Sequence, residues 1–217
     1  MVLCARLEMW FTPYREQAGA QKGRGCTEHI VTLRILTDLA RKKKKKLFVT
    51  FIDFSRACDL VPRYMLMRIT ESVIGTAVFA ATIGLRQGSP TSCLLFILYV
   101  NYLIRLIKDN CRDDGFLKWL YILILMDDTV LLSTSRERII EKLSLMSKFC
   151  NEYCMRMNES KTKFFVIHGT AGDNEAVHVG DLVIGRCTRY MYLGLCSLPT
   201  DRSRRQSAHA DAKMSRH

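Results

Sequence analysis

Leu123-Ile124-Leu125-Met126-Asp127-Asp128-Thr129-Val130-Leu131-Leu132 sets two adjacent carboxylates between two apolar runs. Trp119 to Met126 and Thr129 to Leu132 have the length and composition of strands, which places the aspartates in the connection between them. Adjacent carboxylates repel, and sequestering them unpaired is expensive, so something must compensate. A turn open to water is one solution; neutralisation by divalent cations is the other.

Asp53 adds a third carboxylate in a similar setting, because it ends the apolar, β-branched and aromatic stretch Leu47-Phe48-Val49-Thr50-Phe51-Ile52. Carboxylates projecting from neighbouring strand ends can hold two hard cations such as Mg²⁺, which keep several waters and bind substrate phosphates. Two such ions activate an attacking hydroxyl and stabilise the leaving oxygen in phosphoryl transfer. Only the fold can bring Asp53 beside Asp127.

Around these strands the pattern is mixed. Thr27 to Leu39 has helical spacing, with Thr27 as the expected N-cap and Glu28 in the first turn. Val73 to Ile83 is rich in β-formers, Gly84 to Pro90 interrupts it, and Ser92 to Ile107 resumes at helical spacing, with Pro90 where a helix start tolerates it. Ser135 to Cys154 reads as an amphipathic helix capped by Ser135, and Phe164 to Ile167, Val177 to Ile184 and Tyr190 to Leu195 as short strands. There is no internal repeat.

Composition bounds the class. The 217 residues are 48% hydrophobic and 25% charged, which is neither disordered nor membrane-like, and the size fits one domain or little more. A formal charge of +12 points to a polyanion, yet its distribution qualifies that. Residues 41–46 carry +6 and the tail 201–217 adds five basic residues against two acidic ones, leaving the body nearly balanced. The basic run is either a solvated connector or a phosphate contact. No apolar stretch approaches the roughly 20 residues needed to span a bilayer, and Arg6 and Glu8 interrupt the N-terminal segment, so an intracellular location is expected. The nine cysteines show no zinc-ligand spacing. Cys150 and Cys154, one helical turn apart, read as reduced thiols in a core, with no zinc and no disulfides.

Five blocks in order carry a resemblance: Phe51-Ile52-Asp53-Phe54-Ser55-Arg56-Ala57-Cys58-Asp59-Leu60-Val61-Pro62-Arg63, Gly84-Leu85-Arg86-Gln87-Gly88-Ser89-Pro90, Leu125-Met126-Asp127-Asp128, Asn158-Glu159-Ser160-Lys161-Thr162-Lys163, and Tyr192-Leu193-Gly194. Together they resemble motifs A to E of reverse transcriptases, most closely those of non-LTR (LINE-like) retrotransposons. Glu16 to Thr27 is similar to the family's fingers-side segment before motif A.

That resemblance implies an α+β polymerase palm, an antiparallel sheet backed by helices, with partial fingers and no thumb. It implies three parts: a fingers segment and basic connector at 1–46, the palm at 47–197, and a basic, disordered tail at 198–217. Asp53 and Asp127 would ligate the metals, Mg²⁺ or Mn²⁺, and Asp128 would complete the trio. Gln87 and Gly88 would form the turn under the nascent base pair, where a side chain on the glycine would obstruct the backbone. Lys161 would be the lysine near the leaving pyrophosphate, with Lys163 the second candidate, and Arg24 would lie near the template phosphates. The expected partners are an RNA template, a DNA primer and a dNTP.

The chain also departs from the family. Cys58 stands where an aromatic ring usually excludes the ribose 2′-hydroxyl, and only 24 residues separate Asp59 from Gly84 where a longer helical connection is usual. These features imply a truncated, internally deleted copy. Its function is then RNA-directed DNA synthesis or, alternatively, that of a non-catalytic remnant with at most weak nucleic-acid binding.

Overall fold

The computed structural model describes residues 9, 11–55, 57, 61–62, 64–66, 90–111, 115–118 and 120–197. The β-rich segment at 73–83, Cys58, Gln87, Gly88 and the tail from 198 lie outside the described residues.

Strand β1 (Leu47–Ile52) is buried along its whole length and lies inside a six-stranded sheet. Its flanking partners are β3 (Asp128–Ser133) and β4 (Lys163–Ile167), both antiparallel to it. Outside β3 runs β2 (Ile122–Leu125), and outside β4 lie β6 (Leu182–Arg186) and β5 (Val177–Val179), giving the order β2-β3-β1-β4-β6-β5. A separate two-stranded unit pairs β7 (Tyr190–Tyr192) with β8 (Leu195–Ser197).

Alternation along β1 sends successive side chains to opposite faces, and helices cover both. On one face Phe48 and Ile52 join Phe96, Leu103 and Ile107 of α2 (Pro90–Asn110) and Leu143, Met146 and Phe149 of α3 (Arg136–Glu152). On the other, Leu47, Val49 and Phe51 meet Leu33, Leu36 and Ala40 of α1 (Cys26–Lys42), with Leu123, Val130 and Leu132 completing the layer. A strand enclosed on both faces has no polar alternation to show, which is why β1 reads as a continuous apolar run.

The α+β class holds, with three corrections. The sheet is mixed: β4 and β6 run parallel, Lys163 opposite Gly185, where a wholly antiparallel sheet was expected. Parallel pairing needs a crossover, and the β5–β6 hairpin supplies it by turning at Gly180-Asp181 before β6 docks. Helix α1 starts at Cys26 after Gly25, which makes no side-chain cap bond, so Thr27 lies inside the first turn rather than capping it. Ser135 does cap α3, accepting a hydrogen bond from the Arg138 N–H. Finally, Cys150 is buried, its thiol pushed up to about 12 by burial, but Cys154 is exposed and is no core thiol.

The basic run divides. Arg41 and Lys42 end α1, Lys43 to Lys45 are exposed in the turn that follows, and Lys46 reaches Asp173 at 2.6 Å. Among the described residues, no helix is long and apolar enough to cross a membrane.

Candidate active site

Because Ile52 lies opposite Thr129 in the β1–β3 ladder, the next residue on each strand brings Asp53 against Asp128. The β2–β3 hairpin places Leu125 opposite Asp128, leaving Met126 and Asp127 as its two-residue turn. Asp127 and Asp128 are exposed there and Asp53 is half-buried. Partial burial raises the Asp128 carboxyl above its ordinary range, and the charges of Asp127 and then Asp53 raise it further. The three carboxylates therefore meet at one end of the sheet, and the turn is open to water as well.

Asp53 is held by a second turn. Its N–H donates to Thr162 Oγ1 (3.3 Å) and its carbonyl accepts from the Asn158 N–H (2.7 Å). Asn158 organises that turn: its carbonyl accepts from Thr162 N–H (2.8 Å), and its Oδ1 accepts from Ser160 Oγ (2.8 Å) and Lys161 N–H (3.4 Å). The result carries Lys161 Nζ to 3.9 Å from Asp53 Oδ2, with the lysine otherwise exposed. Lys163 takes another course, donating to the Glu159 carbonyl at 3.3 Å. The Asn158 turn borders a cleft of about 630 Å³ lined by Ser55, Met157, Asn158, Glu159, Ser160, Lys163, Val183 and Gly185.

Arg24 is placed elsewhere. Its guanidinium pairs with Glu28 (2.6 and 2.8 Å) and donates to the carbonyls of Gln17 (2.8 Å) and Arg15 (2.7 Å), tying the segment before α1 together. The hydrogen bond from Arg24 holds the Glu28 carboxyl below the usual range.

Sequence reasoning passed over Tyr190 and Gln17. The Tyr190 ring stacks on Phe51 at 4.1 Å and 3°. Burial, then the charges of Asp53 and Asp128, push its hydroxyl up to about 12, so its polar end feels the carboxylates. An aromatic residue two positions before Tyr192 was the signal, visible only once β7 is seen to lie over Phe51. Gln17 is fully buried and its Oε1 accepts from the N–H groups of Gly19 (2.7 Å) and Met126 (3.3 Å).

Among the described residues, no three carboxylate, imidazole or thiolate groups close into a metal-binding cluster. In donor chemistry the trio fits hard divalent cations: oxygen ligands only, mutually repelling, and partly open to water where a substrate phosphate could complete the shell.

Solved telomerase structures are among those that share the fold. Apo telomerase from Candida tropicalis, truncated from its C-terminal domain, superposes with a TM-score of 0.53 at 12% identity over 91% of this chain and 42% of its own. Telomerase from Candida albicans in complex with a fragment of telomeric RNA gives 0.51 at 12% identity over 85% of this chain and 35% of its own. The chain thus spans less than half the length of either. No curated protein matches it in sequence. The reverse transcriptase (RNA-dependent DNA polymerase) family profile matches residues 6–196, nearly the whole chain, and the carboxylates described above fall within that span. The chain belongs to the reverse transcriptase family.

Proposed function

We propose that this chain is the palm of an RNA-directed DNA polymerase from a non-LTR, LINE-like retrotransposon, with 1–46 as its fingers segment and 47–197 as the palm. The observation that carries the reading is the meeting of Asp53, Asp127 and Asp128 at one end of the β1–β3 pair, with Lys161 on Asp53. Asp53 and Asp127 would hold two Mg²⁺ or Mn²⁺ ions, and Asp128 would complete the set. When bound, such ions lower the pKa of an attacking hydroxyl and stabilise charge on phosphate oxygens.

The chain's own residues do the rest. The carboxylates orient the primer 3′-hydroxyl against the α-phosphate of a dNTP paired to the RNA template. Lys161, exposed and beside Asp53, is free to offset charge or donate a proton at the pyrophosphate oxygen; Lys163 is engaged with Glu159. Cys58, Gln87 and Gly88 lie outside the described residues; the family motifs would assign them the sugar and the nascent base pair. The internal bonds of Arg24 favour an organising role in the fingers segment over a template contact.

A Mg²⁺-dependent extension assay with the full 217-residue chain, an RNA template and a DNA primer tests the reading. With the connection between Asp59 and Gly84 shortened, weak primer extension at most is expected from the wild type, and its loss from Asp127→Asn. A folded wild-type chain that extends nothing would instead be a non-catalytic remnant, the reading favoured by the short connection of 24 residues between Asp59 and Gly84.

A further inference from the structure

The turn that carries Asp127 is strained. Met126, the first of its two residues, has φ +58, in the left-handed region that side-chain-bearing residues rarely adopt. Such a conformation persists only where surrounding structure fixes it. The fixture is the strap Tyr14–Gly19, far away in sequence.

Three sets of contacts define it. The strap lies parallel to β2, with Ile124 N–H donating to the Glu16 carbonyl (2.8 Å) and Ala18 N–H to the Ile124 carbonyl (2.9 Å). Its other side is fastened to α2, where Tyr14 N–H donates to Asn101 Oδ1 (2.9 Å) and Lys108 Nζ pairs with the buried Glu16 (2.8 Å). Between these anchors Gln17 turns inward, fully buried, and its one carbonyl oxygen receives both Gly19 N–H and Met126 N–H. Gly19 completes the fit: a Cβ there would sit 2.8 Å from the Met126 nitrogen and from its sulfur.

We propose that Gln17 is a positioning residue of the carboxylate turn: it fixes the strained Met126 peptide, and through it the aim of Asp127 and Asp128, from a strap braced on α2. The role in catalysis rests on the function proposed above; the positioning itself does not. Supporting groups that orient a ligating residue typically change metal affinity or activity by about 10–100-fold when lost. The expectation for Gln17 follows from that scale.

The test uses the full chain and two readouts, amide hydrogen exchange and Mn²⁺ binding followed by electron paramagnetic resonance. Gln17→Met keeps the bulk and removes the acceptor. It should speed exchange at Met126 at least about 10-fold while α3 amides are unchanged, and weaken Mn²⁺ binding about 10-fold. Gln17→Glu, which retains an acceptor oxygen, should restore the protection of Met126. Gly19→Ala, which wedges the turn and leaves the Gln17 side chain in the sequence, should weaken Mn²⁺ binding similarly and keeps the test alive if Gln17→Met does not fold. Unchanged exchange at Met126 in folded Gln17→Met, or unchanged Mn²⁺ binding in both Gln17→Met and Gly19→Ala, would overturn the proposal. If wild type and Asp127→Asn bind Mn²⁺ alike, the metal-site reading fails instead, and the exchange data alone decide the role of Gln17.

Discussion

Asp128 and Asp173 are the same residue type pushed in opposite directions. Partial burial and two neighbouring carboxylates raise Asp128, so ionising it in the metal-free fold costs free energy. At Asp173 burial pushes the same way, but the Lys46 ammonium at 2.6 Å and the donors of Thr170 outweigh it and hold the carboxyl at about 2. A carboxyl lowered in the fold stabilises it above the unfolded value near 4, and that contribution disappears as pH falls through about 2. Lys46 is one-third exposed, which screens the pair and limits its worth to about 1 kcal/mol. Lys46→Ala should therefore shift acid unfolding to higher pH and lower stability by about that amount near neutrality, measured by urea melts between pH 2 and 7. Lys161 and Lys163 show what sequence could not settle at this scale. Both stand in the motif, and only the Asn158-centred turn determines that the first reaches Asp53 while the second bonds to Glu159.

Legibility differed from element to element for physical reasons. Strands β1 and β3 were plain because uninterrupted apolar runs stop at aspartates, and α3 was plain because Ser135 announces it. The start of α1 misled: Thr27 has the chemistry of a cap, yet the cap position falls two residues earlier at Gly25, which has no side chain to offer. Ser135→Ala is accordingly expected to cost about 1 kcal/mol, whereas Thr27→Ala, exposed inside a first turn, should be near neutral. Paired thermal melts check both. The parallel β4–β6 contact was invisible because neither strand carries a signal naming its partner. The strap over β2 was hidden for the same reason: Gln17 looks like any loop glutamine until Met126 is seen beside it.

Across the whole molecule, charge is segregated along β1. The carboxylates stand at its C-terminal end and the lysine turn precedes its N-terminal end, about 20 Å away at roughly 3.3 Å per residue. The six charges of 41–46, half of the +12 that first suggested a polyanion, therefore lie far from the acidic centre. Lys43, Lys44 and Lys45 are exposed, so replacing all three with Gln should leave the melting temperature within about 2 °C and primer extension intact, checked by calorimetry and the extension assay. Loss of extension in that variant would show that phosphate contact at this distant end is needed.

The central position of β1 also has a consequence in time. Its two partners come from residues 128–133 and 163–167, so a ribosome delivers β1 long before either exists. At about 5–20 residues per second, a strand that is apolar but for Thr50 waits several seconds without its ladder. Sheets assembled from such distant segments form slowly, and an unpaired hydrophobic strand invites association with other chains in the interval. The acidic centre is thus a late product of synthesis: nothing resembling it exists until the chain has grown past β3.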